Sequence, residues 1–239
     1  MFVLVCLVSF LPFILLFLWL RRQKKEDEAY QKLCGSALKQ GIISVLPIIL
    51  FSALSHIVVR LTGFHESNPL LYQALYTFIV LALVEEIMKY RAFRKVWKKT
   101  DYPCSWLDVV CLCTIAAIGF GLIESVIYAI GASIPVVLVR GICVPHVGYG
   151  FLVGYFYGKG CRSGRSGEKW TGFGLAWLLH GLYDFSLSEE FIALNDNLVM
   201  VALLLALAEI VLVIILIRFV RKARKNEIFL EPLREEESM

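Results

Sequence analysis

Several absences narrow this chain before any motif is considered. There is no HExxH sequence, which excludes a zincin-type metal helix. None of the seven cysteines forms a CxxC pair or a disulfide-like spacing, and several lie inside apolar runs, so they read as small apolar filler without a redox or metal role. Charged residues are scarce, 18% of 239 positions, whereas 59% are hydrophobic. The longest connections between apolar runs, 21–40, 93–107 and 158–169, are too short for a soluble domain. No segment repeats at a solenoid period, and no paired broken helices occur in matching halves.

What remains is a polytopic membrane protein. The mean hydropathy is +0.72, and seven runs are long enough to span as helices: 2–20, 41–59, 69–92, 108–130, 134–157, 170–188 and 197–217. The expected fold is all-α, a single bundle of about seven transmembrane helices over residues 1–220, followed by a short charged tail, 221–239. Lys and Arg cluster in 21–40, 89–99, 158–169 and from Arg218 onward, and are missing near 61–68, 131–133 and 189–196. This alternation predicts an N-terminus outside and a C-terminus in the cytoplasm. The first span lacks a basic n-region and a small-residue cleavage site, so it is expected to stay as an anchor. The net charge of +4 is concentrated beside spans, where it meets the lipid bilayer; no nucleic-acid partner is expected.

Four successive spans carry ionisable residues, each costing roughly 2.5–3.5 kcal/mol at a membrane centre even on the lenient insertion scale. The third holds Glu85-Glu86-x-x-Lys89, with the lysine one turn from both acids. Snorkelling would explain these alone, but adjacent carboxylates also tune each other toward general-base chemistry. Glu124 follows Gly119-Phe120-Gly121 with no basic residue within a turn, so its partner must come from another helix. Arg140 and His146 share the fifth span, the histidine behind Pro145, which bends a helix and frees a carbonyl. His180 and Asp184 lie one turn apart in the sixth, where the acid can orient the imidazole or both can meet a water or metal. Glu209, in the seventh, has no motif around it and is expected to pair with a buried cation. Gly164-Arg165-Ser166-Gly167 matches the GxSG of serine rhomboids, but it lies in a charged loop with no histidine partner, and it is rejected.

In order, EExxK (Glu85, Glu86, Lys89), GFGxxE (Gly119 to Glu124), RxxxxxH (Arg140, His146) and HGxYD (His180 to Asp184) resemble the PrsW family of intramembrane proteases, related to the CAAX-processing (Abi) membrane proteases. The resemblance covers residues 80–188. The CAAX branch uses His where this chain has Glu124 and typically Asn where it has Asp184, so both residues favour PrsW. The resemblance implies hydrolysis of a peptide bond in a membrane-anchored regulatory protein, within or near a bacterial cell membrane. It implies a catalytic set of Glu85, Glu86, Glu124, His146, His180 and Asp184, supported by Lys89 and Arg140. Glu85 is the expected base, with Glu86 and Lys89 setting its protonation. The two histidines either polarise the carbonyl or bind a metal, with Asp184 and Glu124 orienting them. The metal would be zinc, held by His146, His180 and Glu124; a glutamate-activated water without metal suits the same residues. A non-catalytic scaffold and a proton-coupled transporter are the competing readings of the polar cluster.

At ~1.5 Å per residue from the basic anchors, Glu85, His146 and His180 come out about 18, 20 and 17 Å deep, with Glu124 and Asp184 nearer 23–24 Å. Such similar depths predict convergence on one cavity. The charge alternation makes a separate prediction: a reporter fused after Arg165 should be active in the cytoplasm, and a periplasmic or luminal signal would overturn the topology.

Overall fold

The structure, a computed structural model, describes the backbone of residues 2–62, 64–131 and 134–233. The connection at 132–133, the last residues of the tail and the side chain of Arg60 lie outside the described residues. The chain runs through α1 (Phe2–Arg21), α2 (Glu28–Ile43), α3 (Val45–Thr62), short α4 (Phe64–Ser67) and α5 (Pro69–Leu75). A π-helical segment, Tyr76–Leu83, leads into α6 (Val84–Trp97). There follow α7 (Trp106–Gly131), α8 (Ile134–Cys143), α9 (Pro145–Ser163), α10 (Ser166–Ser186), short α11 (Glu189–Ile192) and α12 (Val199–Ala223).

Among the described residues, five helical stretches are long and apolar enough to cross a membrane: Glu28–Ser55, Pro69–Trp97, Trp106–Ile130, Val136–Ser163 and Val199–Ala223. The expected first and sixth spans are helical, as α1 and α10, but are not among these five. Helix α10 carries Glu168, Lys169, His180 and Asp184 along its length, and α1 begins in residues whose side chains lie outside the described set. Burial sorts the five by position. The spans built on α7 and α9 are 72% buried, against 22% for α12, so α7 and α9 form the centre of the bundle. Leu46, Leu50 and Leu54 on α3, and Leu204 and Leu207 on α12, turn outward, as lipid-facing side chains do.

One expected connection changes. The connection placed at 21–40 is mostly the helix α2. Asp27 caps it by accepting the Tyr30 N–H at 2.9 Å. That bond, followed by the Tyr102 hydroxyl at 2.7 Å, holds the Asp27 carboxyl below its ordinary pKa. Buried Tyr30, Cys34, Ala37 and Gly41 give α2 an inward face, which charge counting along the sequence hides. The span expected at 134–157 with a bend at Pro145 is found as Val136–Ser163, and the bend divides it into α8 and α9. They meet at Val144, whose φ of 42° is left-handed and strained for a β-branched residue. The described part of the tail packs back on the bundle: Leu233 N–H donates to the Cys104 carbonyl at 2.9 Å, and the tilted rings of Phe229 and Trp106 lie with centroids 4.8 Å apart.

Close approach of backbones holds the centre together. Gly150, Gly154 and Gly158 lie along one stripe of α9 facing α7, the small-xxx-small pattern that lets membrane helices touch. A methyl group at Gly154 would come within 2.8 Å of Val110 Cα, and Gly41 on α2 meets the Ala116 backbone in the same way. Overpacking a dense interface costs about 1–3 kcal/mol. Gly154→Leu should therefore lower unfolding stability in detergent by at least that amount, whereas Gly174→Ala, with nothing within 4 Å, should not.

Candidate active site

The ionisable residues of four elements converge between α6, α7, α9 and α10, with α8 closing the far edge. Glu85 and Glu86 open the first turn of α6 immediately after the π-helical segment, a wider helix form that is rare and often marks functional sites. The segment is held in register from α10, where Trp177 Nε1–H donates to the Phe78 carbonyl at 2.7 Å. His146 sits in the first turn of α9, directly after the strained Val144–Pro145 junction. His180 and Asp184 occupy one face of α10, a turn apart.

The side chains close into a ring. Glu86 Oε1 accepts from Lys89 Nζ at 2.5 Å and from His180 Nδ1 at 2.9 Å. Lys89 Nζ also donates to His146 Nδ1 at 2.9 Å. His146 Nε2 bonds Glu124 Oε2. Glu124 Oε1 accepts from Arg140 at 2.7 Å, and Arg140 reaches Asp184 Oδ1 at 2.8 Å. Asp184 Oδ2 returns to His180 Nε2 at 3.2 Å, although the pair is not aligned as a hydrogen bond. Glu85 Oε2 points at the same nitrogen from 3.5 Å. All eight residues expected at the site are therefore within one connected cluster. Six of them are buried; Glu124 and Asp184 retain a little exposure at one edge.

These partners fix the two imidazoles differently. A lysine ammonium can only donate, so His146 accepts at Nδ1 and gives its Nε2 proton to Glu124. His180 gives its Nδ1 proton to Glu86, which leaves the Nε2 lone pair without a hydrogen-bond donor. Glu85 Oε2 is likewise buried and unpartnered. In the neutral ring, the Nε2 lone pair and a carboxylate oxygen thus face each other, and neither has a hydrogen bond.

That pair bears directly on metal binding. Glu85, His146 and His180 each bring one ligand atom within 4.8 Å of the others. Imidazole and carboxylate donors suit zinc. The residues fit the group. The set differs from the expected one by exchanging Glu124 for Glu85. Both Glu124 oxygens are already engaged, one by His146 and the other by Arg140, whereas Glu85 Oε2 is not. For His146 to act as a ligand, Lys89 or Glu124 must release one ring nitrogen.

Other expectations on polar residues come out differently. Glu209 is fully buried, yet it forms no ion pair among the described residues, and neither carboxylate oxygen has a hydrogen-bond partner. Its polar neighbour is the hydroxyl of Tyr149, not a buried cation. Ser166 of the rejected GxSG sequence begins α10 at its exposed end, far along the helix from His180. Three aromatic residues escaped the sequence reading. Tyr149 stacks on His180 (4.9 Å, 22°), Tyr128 lies 4.1 Å under the Arg140 guanidinium, and Trp177 anchors the π-helical segment. Each lies one helical turn from a motif residue on its own helix, and that spacing was the signal available.

Comparison with known proteins gives a family and named relatives. Residues 28–216 match the family described as PrsW family intramembrane metalloprotease. The chain is 24% identical to a Protease PrsW of Clostridioides difficile (strain 630) over 195 residues, 77% of this chain and 79% of that protein. It is also 24% identical to a Protease PrsW of Oceanobacillus iheyensis over 156 residues, 63% of this chain and 73% of that protein. No solved structure matches the chain.

The Trp177 bond generates a prediction of its own. Trp177→Phe keeps an aromatic ring but leaves the Phe78 carbonyl without its donor, a loss of about 1–3 kcal/mol for a buried group. Denaturant titration of the purified protein should show that decrease, and unchanged stability would remove Trp177 as the anchor of the π-helical segment.

Proposed function

The chain belongs to the PrsW family of intramembrane metalloproteases, and on that premise we propose that it hydrolyses a peptide bond of a membrane-anchored regulatory protein at the Glu85–His180 centre. It is a multi-pass membrane protease; its bacterial relatives support placing it in a bacterial cell membrane, with the basic loops on the cytoplasmic side.

The observation that carries the site assignment is that Glu85 is the one carboxylate of the cluster to which neither Lys89 nor Arg140 is bonded. Glu86 is spent on Lys89 and His180, Glu124 on Arg140 and His146, and Asp184 on Arg140. Among the four carboxylates of the cluster, Glu85 alone keeps a buried oxygen without a hydrogen-bond partner, free to take a proton from an attacking water. Glu86 fixes the His180 tautomer, so that its Nε2 faces the same space as Glu85. Tyr149, stacked on the ring, prevents it from rotating away. Lys89 and Arg140 hold the remaining acids ionised and in place. Burial excludes bulk water, which strengthens each of these interactions.

With a metal bound, Glu85 would serve with His146 and His180 as a ligand instead of as the base, and zinc would supply the polarisation of the water and the scissile carbonyl. Glu124 then acts as the group that orients His146, as carboxylates do behind ligating imidazoles.

The test uses purified protein co-reconstituted with a single-span substrate. Glu85→Gln and His180→Ala should each reduce cleavage by about 10²–10⁴-fold, the usual contribution of a positioned base, while the bundle stays folded. Glu209→Gln should act more mildly. Metal content is measured in the same preparations. Cleavage lost with metal retained in Glu85→Gln identifies Glu85 as the base, and loss of both identifies it as a ligand. Full cleavage by either site variant would remove that residue from the mechanism.

A further inference from the structure

A second site lies apart from the charge ring, at the basic end of α6. Arg91, Arg94, Lys95 and Lys98 fall at i, i+3, i+4 and i+7, so the helix presents four cations on one face. They line a groove of 520 Å³ whose other wall is the corner between α2 and α3, with Gln40, Ile43, Ser44 and Pro47. Arg94 is bonded to the Tyr157 hydroxyl. Arg91, Lys95 and Lys98 enter none of the ion pairs among the described residues. Like charges one turn apart repel each other, and no acidic side chain is among the residues that line the groove. Such an arrangement calls for an anion.

The groove is also amphipathic along its length. Beyond the cations its lining becomes apolar at Ile43, Pro47 and Met88, and the adjoining surface of α3 is exposed Leu46, Ile49 and Leu50. An extended peptide would need main-chain hydrogen-bond partners there. Among the lining residues the uncharged polar side chains are Gln40, Ser44 and Tyr90, and the Ser44 hydroxyl is spent on the Gly41 carbonyl at 2.6 Å. A molecule with a negative head and apolar chains needs no such partners.

We propose that this groove binds the phosphate-bearing headgroup of an anionic phospholipid, with its acyl chains lying along α3. Arg91, Lys95 and Lys98 surround the phosphate, and Met88 and Pro47 meet the glycerol end of the chains. The site goes beyond the proposed hydrolysis, and its test does not depend on cleavage. Basic pockets between membrane helices are the usual places where anionic headgroups are held.

The full chain is purified in neutral detergent and titrated with phosphatidylglycerol or phosphatidylcholine, and retained lipid is counted by native mass spectrometry. Wild type should retain phosphatidylglycerol about tenfold better than phosphatidylcholine, since each cation near a headgroup adds to that preference. The combined Arg91→Gln, Lys95→Gln and Lys98→Gln variant should lose the preference with its melting temperature in detergent unchanged, whereas Lys222→Gln on α12 should keep it. Equal retention of the two lipids by wild type overturns the proposal, and so does undiminished preference in the triple variant. Inorganic phosphate that blocks retention of phosphatidylglycerol would confirm the phosphate contact. A single-span peptide that displaces the lipid at equimolar amounts would overturn the lipid assignment in favour of a protein occupant.

Discussion

Burying charge away from water forces it to find charge, and this requirement organises the whole bundle. Six ionisable side chains and two imidazoles share one interior, and removing one partner of an ion pair in such a set strands a charge at a cost of about 3–5 kcal/mol. The ring therefore acts as a clasp. Glu86 and Lys89 contribute from α6, Glu124 from α7, Arg140 from α8, His146 from α9 and His180 with Asp184 from α10. Five helices that only meet lipid on their outer faces are fixed relative to one another by these bonds, because lipid offers no hydrophobic drive toward helix association.

A clasp of this kind tolerates little error in helix position, and the neighbouring features are those that set position. The α9 glycine stripe brings α9 onto α7 at backbone distance, which sets the separation between His146 and Glu124. The left-handed Val144 turns the chain abruptly, so that His146 enters at the start of a helix. The π-helical segment rotates α6 relative to α5, and Trp177 ties that rotation to the helix that carries His180. Backbone strain and irregular helix sit beside the chemistry, where the surrounding packing is strong enough to hold them.

Outside the ring, the polar interior is less complete. Glu209 and the hydroxyls of Tyr149 and Tyr183 are buried without hydrogen-bond partners. They lie on the α12 side of the site, behind the ring of Tyr149 that covers His180. At the basic end a separate network ties the loops to the bundle: Lys24 reaches Asp108 at 2.8 Å and Tyr102 reaches Asp27 at 2.7 Å. The two networks meet the same need differently: Lys24 brings a partly exposed cation to buried Asp108, whereas the ring closes among the helices.

The sequence by itself determined that the chain is helical and membrane-spanning, and which residues make up the charge cluster. A charge in an apolar run is visible one residue at a time, because its cost arises from the run around it. Helical periodicity likewise sufficed to pair His180 with Asp184 and Lys89 with Glu86. Partners on different helices were decided only by tertiary structure. Nothing in the order of residues said that Arg140 joins Glu124 to Asp184, that Glu124 is fully engaged, or that Glu85 is left open. Nor did composition separate α2 from a loop: its basic residues look like a connection, and its buried face exists only where α7 packs against it. Local patterns record what a residue needs, whereas packing between helices decides which neighbour supplies it.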